Sequence, residues 1–307
     1  MTTATAPGKI ILFGEHAVVY ARPAIAVPVL QVHAVATIEP WLGPDVRIDA
    51  PDISRQYNLA DAAPDDPIAS IVRLTCAHAN VEAKHFAVHV HSTIPVARGL
   101  GSGAAVSVAV ARALLEFTHH TASAEQVSSL AYEVEKLYHG TPSGIDNTVI
   151  AFALPVYYVR GMPFESFRVG RPFRIAIADT GIASPTRIAV GDVRCAWQAN
   201  RSRFEGLFDE IGAIATKARV AIESGDIQAL GPLMNANQKL AEEMGVSSQG
   251  IETLVKAARD AGAIGAKLSG AGRGGNIIAL VDEETENPIV KAMLRAGAAS
   301  VILTQIK

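Results

Sequence analysis

The spacing of apolar and polar residues along the chain predicts a mixture of short strands and amphipathic helices. In the first half, apolar runs and alternation indicate strands at 9–13, 24–38, 45–49 and 85–93. Apolar residues three to four positions apart indicate helices at 65–78, 104–117, 123–138 and 145–152. The second half is richer in helices, at 186–223, 226–243, 249–261 and 287–296, with strands at 263–268, 275–281 and 299–305. Because strands and helices do not alternate as regular βαβ units, the pattern favours an α+β fold.

The chain is long enough for two lobes. Its 307 residues exceed what one hydrophobic core usually organises. A strand-rich boundary covers 154–178 and contains Pro155, Pro163 and Pro172. We therefore expect an N-terminal domain at 1–162 and a C-terminal domain at 163–307.

Composition narrows the class of protein. The net charge of −3 argues against nucleic acid as the main partner, because such proteins usually carry a basic signature. The first residues lack the basic and apolar regions of a signal peptide, and no uncharged apolar run reaches the ~18 residues of a membrane span. Cys76 and Cys195 lie in apolar, helical surroundings, which predicts buried, reduced thiols. We expect a cytoplasmic protein without a membrane partner.

A glycine-rich loop at 99–103 follows a predicted strand and precedes a helix of small residues. Glycines let the backbone approach a bulky anion, and a helix N-terminus offers unpaired N–H groups and partial positive charge. The loop therefore fits a phosphate cradle, although a tight turn with packing glycines is about equally consistent with this segment alone. It is not a P-loop, because no Lys-Ser/Thr pair closes it.

Candidate catalytic groups lie in two further segments. Lys9 opens an apolar strand, where a lysine is expected at the strand end in solvent. Glu15 and His16 follow the glycine that ends this strand, a common position for functional residues, although a surface pair is the simpler alternative. Glu135 is expected one turn before a helix C-terminus, where a carboxylate is disfavoured unless a cation compensates it.

Asp146 is expected in the first turn of the helix that follows, with Ser143 as its N-cap. The alternatives are a solvated Glu135 and an Asp146 that only stabilises the helix dipole. A third segment contains Gly270-x-Gly272-x-x-Gly275, which matches a dinucleotide-binding string. A strand follows it instead of a helix, so a glycine hairpin between strands fits better.

Together, these segments resemble the GHMP kinase superfamily, whose three signature regions occur in the expected order over residues 6–280. Residues 8–20 and 139–147 are most similar to the members that phosphorylate mevalonate, and 179–187 resembles their segment leading into a substrate-facing helix. The resemblance implies a two-lobe α+β fold with the active site in the cleft between the lobes. It also implies γ-phosphoryl transfer from ATP to the primary hydroxyl of mevalonate.

The resemblance further implies roles for individual residues. Asp146 would act as general base, with Lys9 beside it, and Glu135 and Ser102 would hold Mg²⁺. Glu15, His16, Asp146 and Thr186 would bind mevalonate, with Arg187 near its carboxylate. Contacts to ATP would come from Pro95, Arg98, Gly99, Leu100, Gly101, Ser102, Gly103, Ala104 and Ala105.

This chain departs from the family pattern at three positions. Gly103 replaces a serine that is often assigned to the metal, which puts metal coordination in doubt. Arg273 and Asn276 stand where glycine and a small residue are usual, and Arg273 could contact phosphate or be solvated. The alternatives are another superfamily kinase, acting on phosphomevalonate or a sugar, and a non-catalytic ligand sensor on this fold. A homodimer is compatible with the resemblance.

Overall fold

The computed structural model describes residues 1–96, 98–139, 142–184 and 186–307. Its strands are β1 (Thr2–Phe13), β2 (Ala24–Pro40), β3 (Arg47–Ala50), β4 (Arg55–Asn58), β5 (Phe86–Ser92), β6 (Val156–Tyr158), β7 (Glu165–Ser166), β8 (Phe173–Asp179), β9 (Gly265–Ser269), β10 (Asn276–Val281) and β11 (Ser300–Ile306). Its helices are α1 (Pro67–Ala79), α2 (Ser102–Phe117), α3 (Ala124–His139), α4 (Ile145–Phe152), α5 (Thr186–Ala199), α6 (Arg201–Ser224), α7 (Ile227–Glu243), α8 (Gln249–Asp260) and α9 (Glu286–Arg295).

Contacts within the chain define two compact units. The first contains Met1–Lys9, Pro28–Val96 and Leu100–Ala153, and the second contains Ile10–Val27, Ala97–Gly99 and Leu154–Lys307. The strands β1 and β2 contribute residues to both units, so neither unit is one continuous segment. The domain boundary expected at 162/163 stays a prediction.

The first unit combines a sheet with four helices. Its strands lie in the order β4-β3-β5-β2, and β1 pairs with β2. β2 and β5 are antiparallel, with Ala34 opposite Ser92, whereas β3 and β5 are parallel. The helix α3 begins with a capping box, in which the backbone N–H groups of Ser123 and Gln126 each donate to the other residue's side chain, at 2.8 and 3.3 Å.

The second unit contains an antiparallel sheet in the order β11-β8-β10-β9. β10 lies between β8 and β9, and its residues are all buried. Ser269 at the end of β9 is opposite Asn276 at the start of β10, so the glycines between them form the predicted connection between two strands. Residues 24–26 of β2 pair with β6 in this unit, and β6 pairs with β7.

The α+β prediction is confirmed, and most predicted elements occur within a few residues of their expected bounds. The long helix expected at 186–223 is instead two helices, because Asn200 adopts a non-helical conformation and caps α6 by accepting from Arg203 N at 3.3 Å. None of the helices in the described ranges is both long and apolar enough to cross a bilayer.

One of the two cysteine predictions is wrong. Cys76 is buried, as expected, but Cys195 is exposed. On α5 the buried positions are Ala189 and Val193. Cys195 follows Val193 by two residues, about 200° around the helix axis, and so lies on the opposite face.

Candidate active site

Lys9 lies within β1 and is buried, with 4 % of its surface exposed. The expectation of a solvent-facing strand end is wrong, because β1 continues on both sides of this residue. Its backbone N–H donates to Leu100 O at 3.0 Å, which joins the strand to the glycine loop. Its Nζ lies 2.9 Å from Asp146 Oδ1. The structure therefore places a buried ammonium group against the carboxylate expected to act as base.

Asp146 occupies the first turn of α4, as predicted. The N-cap is Gly144, with a φ of 89°, and not Ser143 as expected; Ser143 Oγ only approaches Ile145 N at 3.4 Å. A positive φ is inexpensive for glycine, which explains why the turn begins there. The Asp146 side chain keeps 29 % of its surface exposed, so its carboxylate can be reached by a reactant. Gly140 and Thr141, in the preceding motif segment, lie outside the described residues.

Glu135 lies in the last turns of α3 and is buried, with 5 % exposed. Burial raises the pKa of its carboxyl to about 8; the neighbouring Asp146 carboxylate adds to this rise and Lys9 opposes it. The alternative of a solvated glutamate is therefore excluded. With a pKa of about 8, the Glu135 carboxyl is mostly protonated near pH 7, and a bound cation would favour its ionised form.

The donor set at this position fits Mg²⁺ rather than a metal held by protein alone. Within the described ranges, no group of three or more His, Cys, Asp or Glu side chains could hold a metal ion. Magnesium commonly uses one or two carboxylates together with substrate phosphates and waters. Glu135 and the Ser102 hydroxyl at the start of α2 are compatible with that pattern.

The glycine loop packs against this group. Gly99 and Gly101 have φ values of 82° and 73°. A Cβ on Gly101 would lie 2.8 Å from Ile150 Cδ1 and 3.0 Å from Lys9 Cγ, so a side chain there would displace the lysine. Gly101 is also the N-cap of α2 and has no side chain to pair the first N–H groups of the helix.

Gly103 stands where a serine is usual in the family, and this difference changes the surroundings of Glu135. A Cβ at this position would lie 3.4 Å from Glu135 Oε1, an ordinary contact distance. A serine here would place its hydroxyl near that carboxylate. The glycine therefore removes a polar group from the surroundings of Glu135 without any steric need for glycine.

Glu15 and His16 are both buried, at 3 % and 6 % exposed, so the alternative of a surface pair is excluded. The Glu15 carboxylate accepts a hydrogen bond from Lys267 Nζ, and His16 Nε2 lies 2.9 Å from the Ala271 carbonyl oxygen. Burial lowers the pKa of His16 to about 4, so its imidazole is neutral near pH 7. His16 also has a φ of 59°, which is costly for a residue other than glycine and is typical of functional sites.

Lys267 is the residue that sequence reasoning missed. It is fully buried in β9 between Ala266 and Leu268, which are themselves buried. The available signal was a lysine inside an apolar strand, since lysine is almost never fully buried unless it is paired.

The two other departures from the family pattern have structural explanations. Arg273 is exposed and forms an ion pair with Asp192 of α5, and its contact with phosphate stays a prediction. Asn276 Nδ2 donates to Arg98 O, and Arg98 Nε lies 3.4 Å from Asp179 Oδ2. Asn276 and Asp179 thus hold the residue that precedes the glycine loop.

The site residues fall into two groups. Lys9, Glu135 and Asp146 come together in the first compact unit, beside Ser102 and Gly103. Glu15 and His16 come together with Lys267 and Ala271 in the second unit. Thr186 and Arg187 begin α5 and are exposed. The roles of all these site residues, and those of Pro95, Leu100, Ala104 and Ala105, stay predictions.

Comparison with known proteins identifies the class. The family model for the GHMP kinases N terminal domain matches residues 67–154, and that for the GHMP kinases C terminal domain matches 218–299. The chain therefore belongs to the GHMP kinase family, and it is an ATP-dependent small-molecule kinase. This confirms the family and enzyme class expected from the sequence.

Within the family, the chain is similar over nearly its whole length to proteins named mevalonate kinase. One from Thermococcus sibiricus is 35% identical over 319 residues, which cover 97% of this chain and 94% of the relative. One from Aeropyrum pernix is 36% identical over 313 residues, covering 97% and 95%. The crystal structure of L. major mevalonate kinase in complex with R-mevalonate matches with a TM-score of 0.86 and 30% identity, covering 100% of this chain and 96% of that one.

Proposed function

We propose that this enzyme transfers the γ-phosphoryl group of ATP to the primary hydroxyl of mevalonate, giving 5-phosphomevalonate for isoprenoid precursor synthesis. The observation that carries the proposal is the Lys9–Asp146 pair, at 2.9 Å, beside the buried Glu135. The similarity to several proteins named mevalonate kinase supports the choice of substrate.

Asp146 is the general base. Its carboxylate accepts the proton of the attacking hydroxyl as the oxygen bonds to the γ-phosphorus, and ADP leaves with the electrons of the broken P–O bond. Lys9 orients the Asp146 carboxylate through their contact at 2.9 Å. Because the lysine is buried, its charge is poorly screened by water, and it also stabilises the negative charge that develops on the transferred group.

The loop at 99–105 and the start of α2 hold the phosphates through backbone N–H groups, with Pro95 and Arg98 at the entrance to the loop. Glu135 and Ser102 would hold Mg²⁺, which neutralises phosphate charge when it is bound. The buried position of Glu135 supports this assignment, because burial raises the pKa of its carboxyl and a bound cation would favour the ionised form that can act as a ligand.

Glu15, His16 and Thr186 position mevalonate, and Arg187 meets its carboxylate. The neutral His16 ring donates its Nε2–H to the Ala271 carbonyl, which leaves Nδ1 as an acceptor. His16 would therefore accept a hydrogen bond from a mevalonate hydroxyl. It would not bind the carboxylate as a cation.

The enzyme is proposed to be cytoplasmic, which its two free cysteines support. A homodimer is compatible with the family resemblance, and light scattering after size-exclusion chromatography would measure the oligomeric state.

The test is ATP-dependent phosphorylation of mevalonate, with galactose, homoserine and 5-phosphomevalonate in parallel, by the wild type and Asp146→Asn. Turnover of mevalonate alone, lost in the variant, is the expected result. Turnover of another substrate instead would retain the family and overturn the proposed substrate. Binding of ATP or mevalonate without any turnover would favour a ligand sensor.

A further inference from the structure

Lys267 has no role in the phosphoryl transfer described above, yet its ammonium group is fully enclosed. Its side chain has 0 % of its surface exposed. Its Nζ donates to Glu15 Oε1 and to the carbonyl oxygen of Leu268. The Glu15 side chain is 3 % exposed, so both charged groups of the pair are withdrawn from water.

A lysine in this position is expensive for the fold. Removing a lysine and a glutamate from water costs more than burying apolar side chains of similar size, even when the two charges pair. Burial lowers the pKa of Lys267, and the Glu15 carboxylate opposes that shift. The neighbours of Lys267 in β9 are apolar and buried, so an apolar residue would suit the strand better. The pair is therefore explained more simply by what it does to Glu15 than by stability.

The segment around Lys267 is also attached to the segment that carries Glu15 and His16. Ser269 Oγ donates to Ile11 O at 2.8 Å, and His16 Nε2 bonds Ala271 O at 2.9 Å. Together with the ion pair, these bonds join residues 267–271 to residues 11–16 at three places within the second unit. Both segments therefore move as one body.

The support behind Lys267 is itself rigid. The buried Gln238 of α7 accepts from Leu268 N at 2.7 Å. The Gln238 Nε2 group donates to Ser247 Oγ at 3.0 Å and to Glu252 Oε1 at 2.9 Å, which fixes the amide in turn. The backbone next to Lys267 is thus held by a buried amide, and the lysine side chain starts from a fixed point.

We propose that Lys267 is a positioning residue for the acceptor substrate: it holds the Glu15 carboxylate in one orientation, and Glu15 in turn orients mevalonate. This inference rests on the proposed function. The third glycine motif then serves the acceptor through Lys267 and Ala271, in addition to any role toward ATP. Lys267 itself does not touch the reacting atoms.

The first test compares Lys267→Met with Lys256→Met, a control at an exposed lysine of α8. Steady-state kinetics are measured for both substrates, and thermal unfolding is measured alongside. We expect Lys267→Met to raise the KM for mevalonate about 10- to 100-fold, the size of effect that a misplaced orienting group produces, and to leave the KM for ATP unchanged. The control is expected to match the wild type. Equal rises in both KM values, or no rise for mevalonate, would overturn the proposal.

The second test uses Glu15→Gln and the double variant Glu15→Gln/Lys267→Met. The double variant leaves no unpaired buried charge, so it remains informative if Lys267→Met alone does not fold. Because Lys267 is proposed to act only through Glu15, the two variants should share one KM for mevalonate and one affinity by calorimetry without ATP. A further loss in the double variant would show that Lys267 acts independently and would refute the inference.

The wild-type measurement separates the two proposals. If the wild type phosphorylates mevalonate and the variants behave otherwise than expected, only the role of Lys267 fails. If the wild type turns over a different acceptor, the proposed function fails, and the role of Lys267 toward mevalonate fails with it.

Discussion

Two lysine–carboxylate pairs in this protein use the same chemical groups for different ends. Lys9 pairs with Asp146, whose side chain is 29 % exposed, whereas Lys267 pairs with Glu15, whose side chain is 3 % exposed. The first pair has a further carboxyl group beside it, Glu135, whose pKa is raised to about 8 by burial. In the second pair both side chains are withdrawn from water.

The difference shows how burial assigns roles to identical groups. A partly exposed carboxylate can take a proton from a reactant, and a carboxyl group beside it can lose its proton to hold a metal ion. A buried pair sealed from water can do neither, but it holds a side chain in one orientation. Four predictions test this distinction, beginning with the largest expected effect.

Asp146→Asn is expected to lower kcat by about 10²- to 10⁴-fold, because the amide cannot accept the proton of the hydroxyl. The KM values should change much less. Stopped-time assays with radiolabelled ATP measure the loss, and thermal unfolding of the same sample serves as the control for folding. A variant that keeps wild-type kcat would remove Asp146 from the role of base.

Lys267→Met is expected to lower the free energy of unfolding by about 3–5 kcal/mol, because it removes the ammonium partner of a buried carboxylate. Lys9→Met should cost less stability, since the partly exposed Asp146 can regain water. Urea unfolding of both variants measures the difference. A larger loss of stability in Lys9→Met than in Lys267→Met would contradict this distinction between the two pairs.

Acid is expected to lower the free energy of unfolding because His16, next to Glu15 in the chain, resists protonation in the folded protein. Its pKa of about 4 in the folded protein lies below the ordinary 6.5, so the unfolded chain binds the extra proton first. The contribution of His16 is complete above pH 6.5 and is lost as the pH falls through 4, a change of about 3 kcal/mol.

The measurement is urea unfolding at pH 7 and pH 4.5 for the wild type and His16→Asn. Asparagine tolerates a positive φ better than most residues and does not titrate, which makes it the matched control. The wild type should lose more stability on acidification than the variant. Equal losses would mean that His16 is protonated in the folded state.

Gly103→Ser has the smallest expected effect and tests the surroundings of Glu135, beside the Lys9–Asp146 pair. Serine and alanine should each stabilise α2 by about 0.5 kcal/mol over glycine. Only serine adds a hydroxyl near Glu135, so only Gly103→Ser should tighten Mn²⁺ binding in the presence of ATP, measured by electron paramagnetic resonance. Equal affinities for Gly103→Ser and Gly103→Ala would show that the hydroxyl does not reach the metal.

Local patterns were sufficient for much of the fold. The bounds of α4 and the capping box of α3 follow from apolar spacing, glycine and capping residues, and those signals act within a few positions along the chain. The division of 186–223 into two helices was missed because Asn200 acts as a cap only in the right conformation. Spacing alone did not distinguish that role from a helical asparagine.

The sequence by itself determined the family and the order of its three motifs, and it indicated Lys9, Glu135 and Asp146 as the residues proposed to carry the chemistry. Only the tertiary structure decided that Lys9 is buried, that Cys195 is exposed and that Lys267 meets Glu15 across a separation of 252 positions. Periodicity records which face of an element is apolar. It does not show which distant side chain contacts that face, and burial and charge pairing depend on that contact.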